Sequence, residues 1–196
     1  MHDAIPVGAA ILELGCGVGR ITHELLRLGH PLVAVDESSE MLGHVHGAAT
    51  VDARIEALDL GRRFPCVLLA SHLVNTSDVR QRQAFLAACA RHVAADGKVL
   101  IERHPPAWAP EEGVRGTMDD VTIALEEVRS EPPLVSATVR YEAEGQTWRH
   151  RFDAHVLDDE ALDLELRAAG LHLARVLDER GAWVDAAPIL DDIVAA

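Results

Sequence analysis

The sequence predicts an α/β fold: a doubly wound, mostly parallel sheet with an antiparallel three-strand insertion before the last helix and a β-hairpin at the C-terminal end. Three observations predict it. From residue 9 to residue 104, short β-rich runs alternate with helical patterns, the rhythm of βαβ units. Gly15, Gly17 and Gly19 line the junction between the first such run and the first helical pattern. Between residues 120 and 156, three β-like runs follow one another with no room for crossover helices, so they pair antiparallel.

The elements follow in order. "AAILELG" is the first strand, and after the glycines Ile21, Leu25 and Leu28 share one helical face that Gly29 closes. "PLVAVD" is the second strand and ends on Asp36. Ser38 or Ser39 caps a short helix through "EMLGHV". "ATVDARIEALDL" gives a third, shorter strand with its loop, and "FPCVLLASHLV" a buried fourth with Pro65 at its entry. A helix from about Asp78 to Val93 carries Phe85, Leu86, Cys89 and Val93 at core spacing, and "KVLIERH" is the fifth strand. Residues 105–119, rich in Pro, Gly and acids, read as a loop. "VTIALEEV", "VSATVRYEA" and "QTWRHRFDAHV" make the insertion. Asp158 caps a last helix with Leu162, Leu166 and Ala169 on one face; "LHLARVLDE" and "GAWVDAAPI" form the hairpin, and "LDDIVAA" reads as a frayed tail.

A chain of 196 residues, 48% hydrophobic, can bury one sizeable core, so residues 1–196 read as one domain. Its core spans 9–104 and 157–190, and strands 120–156 serve as a lid or dimerisation element, which leaves a homodimer open. Apolar runs are far short of the roughly 20 residues that cross a bilayer, so no membrane partner is expected. The start, "MHDAIPVGAA", lacks the basic patch and apolar stretch of a secretory signal, which makes cytoplasmic residence the expectation. Cys16, Cys66 and Cys89 are odd in number and widely spaced, as reduced thiols are. The eleven histidines show no metal-ligand spacing, so no metal is expected. A net charge of −14 repels a phosphate backbone and argues against nucleic acid as a partner.

Glycines lining a sharp strand-to-helix turn let a ligand approach backbone N–H groups that side chains would block. A dinucleotide fingerprint, GxGxxG, would place its third glycine where this chain has Arg20, so the GxGxG pattern behind Glu13 disfavours NAD. Asp36, seventeen residues beyond Gly19, ends the neighbouring strand, where a carboxylate can accept hydrogen bonds from both ribose hydroxyls. A nucleoside cofactor across the first two strands fits both features.

On these residues the chain resembles the class I S-adenosylmethionine-dependent methyltransferases, a Rossmann-like family. The likeness runs through "ILELGCGVGR", "VAVDESSEML", "ARIEALDLGRRFPCVLLASHLVN" and "GKVLIERH", and more loosely through "LRAAGL" to the end. It implies S-adenosyl-L-methionine as cofactor, S-adenosyl-L-homocysteine as product and a small-molecule acceptor. It further implies that Gly15, Cys16, Gly17 and Gly19 contact the methionyl part, with Cys16 contributing backbone and no nucleophile. Asp36 and Glu37 would meet the ribose, Met41, Arg54 and Ile55 the adenine, and Ser71 and His72 the region beneath the transferable methyl. Glu13 would hold the loop and the cofactor's amino end. On pattern alone Met41 equally suits a core position, and Arg54 a solvated charge. Many relatives carry upstream helices over the cofactor, whereas about ten residues precede the first strand here; lid strands or a partner chain would cover the site, or it stands open.

Methyl transfer from a sulfonium needs positioning and exclusion of water, with a general base when the acceptor is a protonated group of high pKa. Candidates are His72, Glu102 and His104 at the ends of strands four and five, with Asn75 as an orienting amide. Glu102 and His104 alternate on one strand face, either as an acid–base pair or as a buried polar contact, and Arg103 faces the other side. Were Arg103 in the pocket, it would favour an anionic acceptor. Trp148, His150 and Phe152 make an aromatic face for the cleft, for the sheet's own core or for a second subunit. Two functions from different classes stand: a small-molecule methyltransferase, and a regulatory or inactive module that binds the cofactor without turnover.

Overall fold

The computed structural model describes residues 1–190 apart from 114 and 119, and the tail read as frayed lies, beyond Leu190, outside the described residues. These residues form a seven-stranded sheet and a four-stranded antiparallel sheet. The elements of the larger sheet begin with β1 (Ile11–Leu14), α1 (Arg20–Arg27), β2 (Leu32–Asp36), α2 (Ser39–Leu42) and β3 (Ala49–Asp52). They continue with β4 (Phe64–Leu69), α3 (Val79–His92) and β5 (Val93–Glu102). The smaller sheet is β6 (Arg115–Met118), β7 (Val121–Glu131), β8 (Leu134–Ala143) and β9 (Gln146–His155), after which α4 (Asp159–Ala168), β10 (Leu171–Val176) and β11 (Trp183–Pro188) complete the larger one.

Strand order is β10-β11-β5-β4-β1-β2-β3, with β1 to β5 parallel to their neighbours and β11 antiparallel to β5. The chain winds outward from β1 through β2 to β3, then returns to the other side for β4 and β5. Loops after β1 and β4 therefore diverge, opening a crevice at the carboxyl ends of the strands.

β1 is buried along its whole length because β2 and β4 flank it and helices cover both faces. Ile11, Leu12 and Leu14 are fully enclosed, each stabilising the fold by about 1.5–3 kcal/mol relative to exposure. The larger apolar cluster joins Leu12, Leu14, Val67 and Leu69 to Phe85, Leu86 and Cys89 of α3 and Leu162 and Leu166 of α4. The helix starts follow side-chain chemistry: Asp78 accepts from the Arg80 and Gln81 amides, Asp158 from Ala161, and Ser38 from Met41. In α1, Thr22 and Leu25 are the buried residues, while Leu28, expected on the apolar face, is more than a third exposed at the C-terminal cap.

The three expected insertion strands are β7, β8 and β9. A fourth, β6, forms inside the stretch read as a loop, because Arg115–Met118 pairs with Val121–Ala124 despite its lack of alternation. A backbone bridge between Thr76 and Ala154 of β9 and two buried side chains fasten this sheet to the larger body. Arg82, enclosed on α3, binds Glu165 of α4, the Thr76 carbonyl and the His155 ring. The Asn75 amide donates to the His155 carbonyl and accepts from the His104 N–H, at 2.8 and 2.7 Å. No helix among the described residues is long and apolar enough to cross a membrane.

Candidate active site

A cleft of about 1130 Å³ opens at the crevice, with the carboxyl ends of β1, β2, β4 and β5 as its floor and one face of the four-stranded sheet as its far wall. The floor begins at the glycine turn. Gly15 has φ +72°, a left-handed backbone that favours glycine, and a Cβ there would displace the end of the Leu73 side chain, 2.5 Å away. Gly17, at φ +54°, donates its amide N–H to one carboxylate oxygen of Asp36 at 2.8 Å. The other oxygen accepts from Ser38 at 2.9 Å. Each oxygen keeps a further lone pair, so Asp36 retains acceptor capacity on the cleft floor.

Glu13 lies beneath this floor rather than in its lining. It sits in β1 between Ala34 and Leu68 and accepts from the Thr22 hydroxyl of α1. Burial pushes its carboxyl up to about 7, against the opposing pull of Thr22 and of Arg20. An acid in an apolar strand thus ties the strand before the glycine turn to the helix after it. Cys16 lines the cleft, and burial followed by the charges of Glu13 and Asp36 pushes its thiol up to about 12, which leaves it protonated.

Gly15, Gly17, Asp36, Glu37, Arg54 and Ile55 all line the same end of the cleft, and Arg54 pairs with Glu37 at 3.6 Å and Glu56 at 3.3 Å. Gly19 and Met41 are not in the lining. Gly19 packs towards His23 and Val45, and Met41 stands half-exposed beside Gly17.

Ser71, His72, Glu102 and His104 line the other end. Ser71 and His72 both adopt left-handed backbone, φ +56° and +58°, a conformation that costs on the order of 1–3 kcal/mol per non-glycine residue. Glu102 holds this turn by accepting the Ser71 N–H at 2.8 Å. The expected partnership of Glu102 with His104 is not what forms. His104 lies beyond the strand end and stacks instead between His72, at 4.1 Å, and Trp108, at 3.6 Å. Burial, then the neighbouring His72, lowers His104 to about 3, and burial also takes His72 below its ordinary value in spite of Glu102. Both rings are neutral near pH 7. The Nδ1 atom of His72 is buried without a hydrogen-bond partner among the described residues. Arg103 points away from the cleft, enclosed by the Gly181 and Leu157 carbonyls and by Asp159, so it selects no anionic acceptor.

The far wall presents Ile123 and Leu125 of β7, Val139 and Tyr141 of β8, and His150 and Phe152 of β9. Period-two alternation could have assigned the β7 and β8 positions to this wall as it did His150 and Phe152. Trp148 stands outside the lining and half-exposed. Trp108, Leu73 and Arg20 also line the cleft; they lie in turns or at a helix start, where periodicity carries no signal.

Comparison with known proteins agrees with this architecture. Residues 11–97 match the methyltransferase domain family. A ubiquinone biosynthesis O-methyltransferase of Xanthomonas oryzae pv. oryzae (strain PXO99A) is 30% identical over 115 residues, covering 52% of this chain and 47% of that protein. The chain thus spans about half the length of such relatives. The CcbJ methyltransferase of Streptomyces caelestis superposes with a TM-score of 0.76 at 20% identity, over 96% of this chain and 87% of its own. S-adenosylmethionine-bound CalS10, an amino pentose methyltransferase of Micromonospora echinaspora, does so with a TM-score of 0.72 at 20% identity, over 94% and 85%. Residues 11–97 thus resemble a methyltransferase domain, and the chain shares the fold of the methyltransferases on which it superposes.

Proposed function

We propose that the protein transfers a methyl group from S-adenosyl-L-methionine to a small-molecule acceptor held between His72 and the inner face of the four-stranded sheet. The observation that carries this reading is the convergence, in one cleft, of the glycine turn and the Asp36 carboxylate on one side with the neutral His72 imidazole and an apolar wall on the other. The cofactor's residues fit. Lone pairs left on Asp36 suit ribose hydroxyls, the glycine turn leaves backbone exposed, and Ile55 and the Glu37–Arg54 pair border the adenine side. At about 1130 Å³ the cleft exceeds the roughly 300–1,000 Å³ usual for one small ligand, which accommodates a second molecule beside the first.

When bound, the cofactor supplies a methyl group on a sulfonium for in-line attack by the acceptor's lone pair. The chain's own contribution is positional. Ile123, Leu125, Val139, Tyr141 and Phe152 shield the acceptor from water and orient an apolar or planar body. His72, neutral because burial disfavours its charged form, offers a lone pair to an acceptor N–H or O–H and takes the proton. Glu102 acts through His72, holding the left-handed turn and favouring the imidazolium that results. The absence of a nucleic-acid partner belongs to the same proposal and draws support from the net charge of −14.

Calorimetric titration with S-adenosylhomocysteine tests the cofactor half directly. Wild-type protein is expected to bind, and Asp36→Ala to bind at least about tenfold more weakly, since two hydrogen bonds to a charged acceptor are lost. Wild-type protein that binds neither cofactor nor product overturns the reading.

A further inference from the structure

We propose that Trp108 is a positioning residue for methyl transfer: stacked on His104, it fixes the plane of the His72 ring and keeps the acceptor's proton on that ring. This rests on the methyl-transfer reading above and goes beyond it. Four rings from three parts of the chain run in sequence through the acceptor end of the cleft, and all four line it. His72 and His104 lie 4.1 Å apart and 18° from parallel, and His104 and Trp108 lie 3.6 Å apart and 4° from parallel. Trp108 then meets Phe152 of β9 at 6.3 Å and 31°. The column is pinned behind His72. The His104 N–H donates to Asn75 at 2.7 Å. The Trp108 N–H closes a turn on the Pro105 carbonyl at 2.8 Å, and Pro106 within that turn packs on Gly181, where a Cβ would come within 3.2 Å of the proline ring.

Stacking decides what His104 can do. Rings that meet face to face point their in-plane lone pairs and N–H groups past one another, so His104 is no relay for a proton on His72. With His72 on one face and Trp108 on the other, His104 is cut off from water, and burial followed by the neighbouring His72 holds it at about 3. The other charged or titratable groups around the two rings are Glu102 at the end of β5, Arg20 at the start of α1 and, from the small sheet, Tyr141, His150 and Asp153. Glu102 favours charge on His72, and none of these groups favours it on His104. Two imidazoliums in one stack repel, so the pair carries one proton, and Trp108 assigns it to His72. Without the indole, water reaches the outer face of His104, and that ring competes for the proton and no longer holds its neighbour's plane.

The test follows the two imidazoles by NMR. The Cε1–H resonances of His72 and His104 are assigned with His72→Gln and His104→Gln and titrated with pH in wild type, Trp108→Ala and Trp108→Phe. Trp108 is half-buried between exposed Ala107 and Ala109, and circular dichroism checks that each variant keeps the fold. Wild type is expected to protonate His72 at a higher pH than His104. In Trp108→Ala the His104 midpoint should rise by more than about one pH unit towards that of His72, because its burial is relieved. Trp108→Gln, which keeps bulk but sets a polar group on His104, should shift it in the same direction and serves where Trp108→Ala fails to fold. Trp108→Phe should keep the wild-type order and gap, since a flat ring still covers the face. A His104 midpoint unmoved in the open-face variants, a Trp108→Phe that shifts as far as they do, or a wild type in which His104 protonates first overturns the role of Trp108 and leaves the methyl-transfer reading standing. Calorimetric titration of the same proteins with S-adenosylhomocysteine tests that reading apart from the rings, and wild-type protein that does not bind removes it.

Discussion

His72 is where sequence position, strain and charge meet. Three residues past β4, it is turned into the cleft by a left-handed backbone, and Glu102 stabilises that turn. Replacing it with glutamine should lower kcat by about 10²- to 10⁴-fold while S-adenosylhomocysteine affinity changes little, because in the role proposed for it the ring takes the acceptor's proton. In that proposed role the working form is the free base, and burial holds its pKa below the usual 6.5. The rate should therefore be flat near neutrality and fall as pH drops below that lowered pKa, with the acid limb absent in His72→Gln. A glutamine variant with unchanged kcat would remove His72 from the chemistry. That the ring lies in the cleft could be read from its place after an apolar strand, but its partners could not. They come from a turn conformation and from Trp108, set in a proline-rich stretch without periodicity.

At the scale of elements, the four-stranded sheet depends on few fastenings. Asn75 satisfies two backbone groups at once, the His155 carbonyl and the His104 N–H, and is itself almost wholly buried. Asn75→Ala strands both, at about 1–3 kcal/mol each if water cannot replace the amide. We expect urea unfolding to show a loss of about 2 kcal/mol, with faster amide exchange at the end of β9 and at His104 than in β1. Uniform exchange throughout would mean that the amide is no fastening. Alternation made β7, β8 and β9 legible as antiparallel strands, and side-chain caps made the starts of α3 and α4 legible. The anchors were not, since Asn75 and Arg82 reach partners about 80 residues away, a separation that no local pattern encodes. β6 escaped for a related reason: its pairing with β7, not its own composition, makes it a strand.

For the whole molecule, two buried groups set opposing responses to pH. Glu13 has its carboxyl raised from 4.5 to about 7, so the folded chain holds a proton that the unfolded chain releases between those values. Its contribution to stability is complete below 4.5 and is lost as pH rises through 7. His104 is lowered from 6.5 to about 3, so the unfolded chain takes up a proton that the folded one refuses, and stability falls as pH drops through that window. Glu13→Gln keeps a partner for Thr22 and removes the first response. Between pH 4.5 and pH 8 the unfolding free energy of wild type should fall, relative to Glu13→Gln, by on the order of 3 kcal/mol. Parallel stability profiles for the two proteins would show that Glu13 is ionised at no cost in the fold.

The double hydrogen bond of Asn75 has a topological consequence. His104 precedes the four-stranded sheet and His155 ends it, and one side-chain amide spans both. The fifty or so residues between them leave the parallel core and re-enter it at a single point, as an inserted domain does. Exchanging that excursion for one of another length would leave the ends of the graft in register with the scaffold. The wall facing the proposed acceptor is thus modular: its recognition chemistry can change without altering the proposed nucleoside half beneath it.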